Sequence, residues 1–188
     1  FQKMAARQVL MELLPLLEDL HPFVSLAAAR TLARSRDLVY AEPVLKWVVG
    51  QDSYQQDRLM GILQTFGPQL VPWMRFRLHS FQESLAEWRL LALMAASHRT
   101  ADLLPDLLQL LDSSDEEVIV AALKALGAIG NPDAFKAVSQ QLKHASAPVR
   151  IHAVRALGAL GGPMAMGLLV EALADLAFEV RRTAAQSL

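Results

Sequence analysis

One motif recurs along this chain at a near-constant interval, and the interval leaves few folds open to it. Val118, Val149 and Val180 stand 31 residues apart (118, 149, 180), and each opens a similar stretch. These are Val118-Ile-Val-Ala-Ala-Leu-Lys-Ala-Leu-Gly127, Val149-Arg-Ile-His-Ala-Val-Arg-Ala-Leu-Gly158 and Val180-Arg-Arg-Thr-Ala-Ala-Gln-Ser-Leu188. A period of this size is that of stacked supersecondary units, each too small to bury its own apolar faces and dependent on its neighbours. With the valine as position 0, small or apolar residues fall at 4, 5 and 8: Ala122, Leu123 and Leu126, then Ala153, Val154 and Leu157, then Ala184, Ala185 and Leu188. Those offsets share one side of a 3.6-residue helix. A small residue at position 4 permits close helix approach. Position 6, occupied by Lys124, Arg155 and Gln186, points away from that side.

The same offsets extend upstream from Val24, Arg58 and Trp88, so the reading predicts six second helices, near 24–33, 58–67, 88–97, 118–127, 149–158 and 180–188. In the third of these the core leucine is replaced by Ala96. First helices precede them. Met4 to Leu20 is a helical pattern divided by Pro15, which removes a backbone donor, and later first helices are expected over 102–111, 132–143 and 163–173. Boundary chemistry agrees: Asn131-Pro132 places a capping side chain before a proline, Ser114 to Glu117 has capping-box spacing, and Gly161-Gly162-Pro163 ends one helix and starts the next. No stretch alternates with period two, so no sheet is predicted. The fold class is all-α, an α-solenoid of about six helical hairpins forming a single domain over 1–188.

The Val-Arg-x-x-Ala-Val/Leu-x-Ala-Leu-Gly signature, with first helices of the type Leu107-Leu-Gln-Leu-Leu111, resembles HEAT repeats, and among them the short bacterial form related to the repeats of phycobilin lyases. The likeness is strongest from Pro105 to Leu188, weaker at Phe23 to Ala33, and carried by spacing alone at Arg58, Trp88 and Ala96. It implies a right-handed, armadillo-like superhelix whose second helices line the concave side. It also implies that Arg150 and Arg181, at position 1, are structural arginines that pair with an acid on a neighbouring unit.

Composition narrows the chemistry. Hydrophobic residues make up 53% and charged residues 20% of the 188, which suits a folded body rather than a disordered chain. The formal net charge is −1, so nothing pulls the whole chain toward nucleic acid or an anionic membrane. With no cysteine there is no disulfide, thiolate metal site or cysteine nucleophile. The five histidines lack the i, i+3 or i+4 pairing that puts two ligands on one helix face, and no metal or cofactor is expected. His152 reads as a solvated groove residue, and Trp47, Trp73 and Trp88 as core packing. The acidic run Asp112, Asp115, Glu116 and Glu117 reads as the complement of a helix N-terminus.

Two rows remain. Position 6 carries Arg30, Gln64, Met94, Lys124, Arg155 and Gln186, and position 2 carries Leu26, Met60, Leu90, Val120, Ile151 and Arg182. The second row is either an apolar strip on an open concave surface or a set of contacts packed between units. The expected function is a non-enzymatic protein-interaction scaffold whose concave face receives a protein segment or a neighbouring domain, using Arg30, Met60, Leu90, Lys124, Ile151 and Arg155. The alternatives are a nucleic-acid-binding solenoid, using Arg30, Arg34, Lys124 and Arg155 on phosphates, and a phycobilin-lyase-like enzyme. No run is long enough to enter a membrane. A cytoplasmic location is expected, with Phe1 to Arg7 read as the exit of a membrane anchor and both ends as cut from a longer chain.

Overall fold

The computed structural model describes residues 2–79 and 84–188. The start at Phe1, on which the anchor reading depends, lies outside them. Twelve α-helices follow one another among the described residues: α1 (Gln2–Met11), α2 (Pro22–Arg34), α3 (Ala41–Val49), α4 (Ser53–Gln64), α5 (Leu70–Leu78), α6 (Leu85–His98), α7 (Leu104–Gln109), α8 (Glu116–Ile129), α9 (Phe135–Gln140), α10 (Ala147–Leu160), α11 (Pro163–Ala172) and α12 (Phe178–Ser187). Short 3-10 turns flank several of them, and no strand occurs among the described residues. The architecture is the all-α solenoid class that the periodicity predicts. None of these helices is long and apolar enough to cross a membrane. The chain divides into two compact units, residues 1–74 and 75–188.

In the first unit Pro15 starts a 3-10 turn after α1, and Pro22 opens α2 behind His21, as the sequence reading requires. The core comprises Ala28, Ala29, Leu32 and Ala33 of α2, Val44, Leu45 and Val48 of α3, and Leu63 and Phe66 at the end of α4. Gln56 is buried because its Nε2 donates to the carbonyls of Val49 and Gln51 at 2.9 and 2.8 Å, which ties the start of α4 to the end of α3. Val24, assigned to the core as a position 0, instead stays 36% exposed.

In the second unit the second helices α6, α8, α10 and α12 pack in succession, with the shorter first helices α7, α9 and α11 between them. Val118, Val149 and Val180 are buried, as are Leu123, Leu126, Val154 and Leu157. The last turn is less complete, with Leu188 48% exposed. The glycine of the motif has a packing reason. A Cβ on Gly127 would lie 3.1 Å from the Ala156 Cα, so α8 and α10 touch nearly backbone to backbone there. The N-cap of α8 is Asp115, whose Oδ1 accepts from the N–H groups of Glu117 and Val118, and not the Ser114 of the expected capping box. An aspartate two to three residues before those amides is already in reach, while Ser113 caps Asp115 in turn. Arg150 confirms its structural role. It forms a bidentate pair with Asp175, at 2.8 and 2.9 Å, and donates from Nη1 to the carbonyls of His144 and Ala145.

The third repeat needs a register correction. Ser84 caps α6 by accepting from the N–H of Glu87, the same three-residue step that joins Asp115 to Val118. Position 0 is therefore Glu87 and not Trp88, which makes its distance to Val118 also 31 residues (87, 118). Burial agrees: Glu87, Leu90, Leu91, Ala92, Met94 and Ala95 are buried, matching Val118, Ala121, Ala122, Leu123, Ala125 and Leu126 one for one. Glu87 tolerates a valine's slot because Arg77 Nη2 donates to it at 3.0 Å, with both side chains largely enclosed. The sequence reading missed this shift because an apolar Trp beside a charged Glu suggests the opposite assignment.

Candidate functional site: a basic cleft between second helices

The register correction redistributes the two expected rows. Leu90 moves from position 2 to position 3, the slot of Ala121, and is fully buried, while Met94 moves off the outward position and is also fully buried. Met60, in the first unit, is 9% exposed because it falls on the inner face of α4 with Gln56 and Leu63. Leu90 and Met60 therefore cannot line an open strip. Packing accounts for them, and Ile151 is half-buried. At the corrected position 2 of α6 stands Arg89, 3.6 Å from Glu117 of α8, a polar link that interrupts the apolar row. Arg30 is exposed on α2 of the first unit.

Lys124 and Arg155 fare differently. Both are exposed, and both line a cleft of ≈ 570 Å³ between α8 and α10. Its floor is made of small residues, Gly127, Ala128, Ala156 and Ala159, which follows from the close helix contact at Gly127. Arg99 joins them at one end. It is the C-cap of α6 in the left-handed region, at φ 49°, with its N–H on the Ala95 carbonyl. Among the described residues no acidic one lines the cleft. Among the described residues none of Arg99, Lys124 and Arg155 forms an ion pair, whereas Arg77, Arg89 and Arg150 each have an acid close by. His152 lies between the two cations, half-buried. Burial first, then the positive charges of Lys124 and Arg155, pull its pKa down to about 4, so it is neutral near pH 7.

The arrangement concentrates positive charge in a concavity whose walls are small and apolar, and an anion entering it would meet three donors without having to displace an internal partner. Sequence spacing identified Lys124 and Arg155. Arg99 escaped it because a left-handed cap at a non-glycine residue has no marker in the periodicity. Among the described residues no three His, Asp or Glu side chains gather in a metal-binding group.

A family model of HEAT repeats matches residues 88–143 and 104–188, together more than half of the chain, and the chain belongs to that family. Comparison with curated proteins returned no match. Solved structures with a similar fold include the CpcE and CpcF complex of phycocyanin lyase from Nostoc (TM-score 0.57, 21% identity, covering 93% of this chain and 74% of that one). Human deoxyhypusine hydroxylase is similar at TM-score 0.55 and 17% identity, over 96% of this chain and 73% of that one. A designed armadillo repeat protein is similar at TM-score 0.53 and 17% identity, over 95% and 98%. At these identities the likeness concerns the fold alone.

Proposed function

We propose that this chain is a non-enzymatic interaction module, one repeat array over residues 1–188 working in the cytosol, whose α8–α10 cleft receives an acidic segment of a partner protein or of a neighbouring domain. The observation that carries this reading is the set of three cations, Arg99, Lys124 and Arg155, left without acidic partners around a concavity in an otherwise near-neutral chain. A carboxylate-bearing segment suits the cleft better than nucleic acid, because a phosphate backbone needs a continuous basic track. Here the position-6 row is broken by Leu93 on one side of Lys124 and by Gln186 beyond Arg155. The likeness to a structure containing two lyase subunits supports protein partnership as a use of this fold.

The test is a titration of the chain with a glutamate-rich peptide at two salt concentrations, in parallel with duplex DNA. Lys124→Glu with Arg155→Glu should weaken peptide binding at least tenfold, while Lys136→Glu, an exposed charge change on α9, should leave it within about twofold. Equal weakening by Lys136→Glu would reduce the cleft to a general charge effect. DNA binding tighter than about micromolar at physiological salt would overturn the protein-segment reading in favour of nucleic acid.

A further inference from the structure

The junction between α10 and α12 shows what a filled link between repeats looks like: the Arg150 guanidinium, at position 1 of its helix, reaches Asp175 in the loop before the next second helix. In the corrected register, position 1 of α6 is Trp88, and the residue corresponding to Asp175 two repeats earlier is Ser113 (113, 144, 175). The arginine and its aspartate are both missing from this junction. In their place lies a cavity of ≈ 310 Å³ lined by Trp88 and Ser113 together with Leu78, His79, Asp106 and Asp112, among others.

Acceptors are already in place there. Asp106 is 3% exposed, although the repeat register sets it in the slot that Ala137 and Leu168 fill in the next two units. Among the described residues neither of its carboxylate oxygens has a hydrogen-bond partner, and the buried indole N–H of Trp88 has none either. The nearest basic side chains serve it poorly. Arg75 Nε is 3.9 Å away, on a side chain 56% exposed. His79 Nδ1 is 2.7 Å from Asp106 Oδ1 but also 3.0 Å from the Arg75 carbonyl, so that its single hydrogen is at best divided between the two. A carboxylate buried without a well-aligned donor is strongly disfavoured, and an apolar residue fits the slot in two sister repeats. Packing therefore does not explain Asp106.

We infer that this cavity is a binding site for a guanidinium group supplied from outside the chain, which occupies the space that Arg150 fills from within at the later junction. The guanidinium pairs with Asp106, and Asp112 adds a second negative charge at the wall. The group also carries a carbonyl or carboxylate oxygen for the Trp88 N–H, so the ligand is arginine-like. His79, half exposed over the carboxylate, is the side chain that swings aside on entry. The site is separate from the basic cleft, of opposite charge, and does not depend on it.

The indole N–H resonances of the full chain report binding, with Trp88→Phe identifying the Trp88 signal. N-acetyl-arginine amide should shift that signal in a saturable way, and the neutral N-acetyl-citrulline amide should not. Free arginine binding more tightly than the blocked amide would assign the ligand as the amino acid, and the reverse would assign it as an arginine side chain of a protein. Asp106→Leu, the residue of the sister slot, should weaken binding at least tenfold. Asp106→Asn serves the same purpose if that variant does not fold. Trp88→Arg with Ser113→Asp should fill the cavity from within, raise the melting temperature and abolish binding. Absence of a shift with N-acetyl-arginine amide, an equal shift with the citrulline compound, or undiminished binding by a folded Asp106 variant would overturn the assignment.

Discussion

The α10–α12 junction and the α6–α8 junction are built on the same 31-residue frame and solve it with different chemistry. At the first, a valine fills position 0, an arginine at position 1 bridges to the next unit, and backbones approach at glycine: a Cβ on Gly158 would lie 2.9 Å from Ser187 Cβ. At the second, Glu87 fills position 0 by pairing with Arg77, Trp88 replaces the arginine, and Asp106 is buried in an apolar slot. Capping and small residues keep the frame, while the groups at positions 0 and 1 can change chemistry if a partner is supplied. Where it is supplied from within, as at Glu87, the repeat closes. At Asp106 no group among the described residues completes the set, and a cavity remains.

The largest effect should come from breaking the exchanged core pair. Glu87→Val restores the residue type of the other repeats but removes the Glu87 carboxylate from Arg77, which is 13% exposed. It should cost about 3–5 kcal/mol, whereas Glu87→Val with Arg77→Met should be neutral or stabilising. Chemical denaturation of both variants checks this, and a harmless single substitution would return position 0 to Trp88.

The valine-type repeats are tested through their leucines. Leu126→Ala or Leu157→Ala, both fully buried, should each cost about 2–5 kcal/mol in the same experiment. An unchanged denaturation midpoint in either would mean that the core is not shared between successive second helices.

The smallest effect concerns His152. Its folded pKa of about 4 lies below the ordinary value near 6.5. Between these values the unfolded chain binds more protons, so the histidine's contribution should be flat above pH 6.5 and turn destabilising as pH falls toward 4. Melting temperatures of the parent chain and His152→Gln, taken from pH 7.5 to 4.5, should diverge on the acid side, with the parent losing more. Parallel curves would mean that the cleft is more hydrated than its geometry indicates.

The helical class, the repeat length, the core positions of α8 and α10, and Lys124 and Arg155 as outward cations are legible in the sequence, whereas Ala185 and Leu188, expected in the core of α12, are exposed. The class, the period, the core positions and the outward cations follow from local periodicity, because a helix repeats its burial every 3.6 residues whatever lies beyond it, while the structural role of Arg150 is what the resemblance to HEAT repeats implies. Asp106 aligns with Ala137 and Leu168 at the unit interval, but its burial is seen only in the structure. The tertiary structure alone decided the register of α6, since one residue of slip is invisible when Glu87 and Trp88 can both be rationalised. It also decided which apolar residues are open. Leu90 and Met60 look alike in the sequence as groove residues, and only the neighbouring helices bury them. It alone gathered Arg99 with Lys124 and Arg155, and Trp88 with Asp106 and Ser113, because those groupings depend on contacts across turns whose direction no periodic pattern encodes.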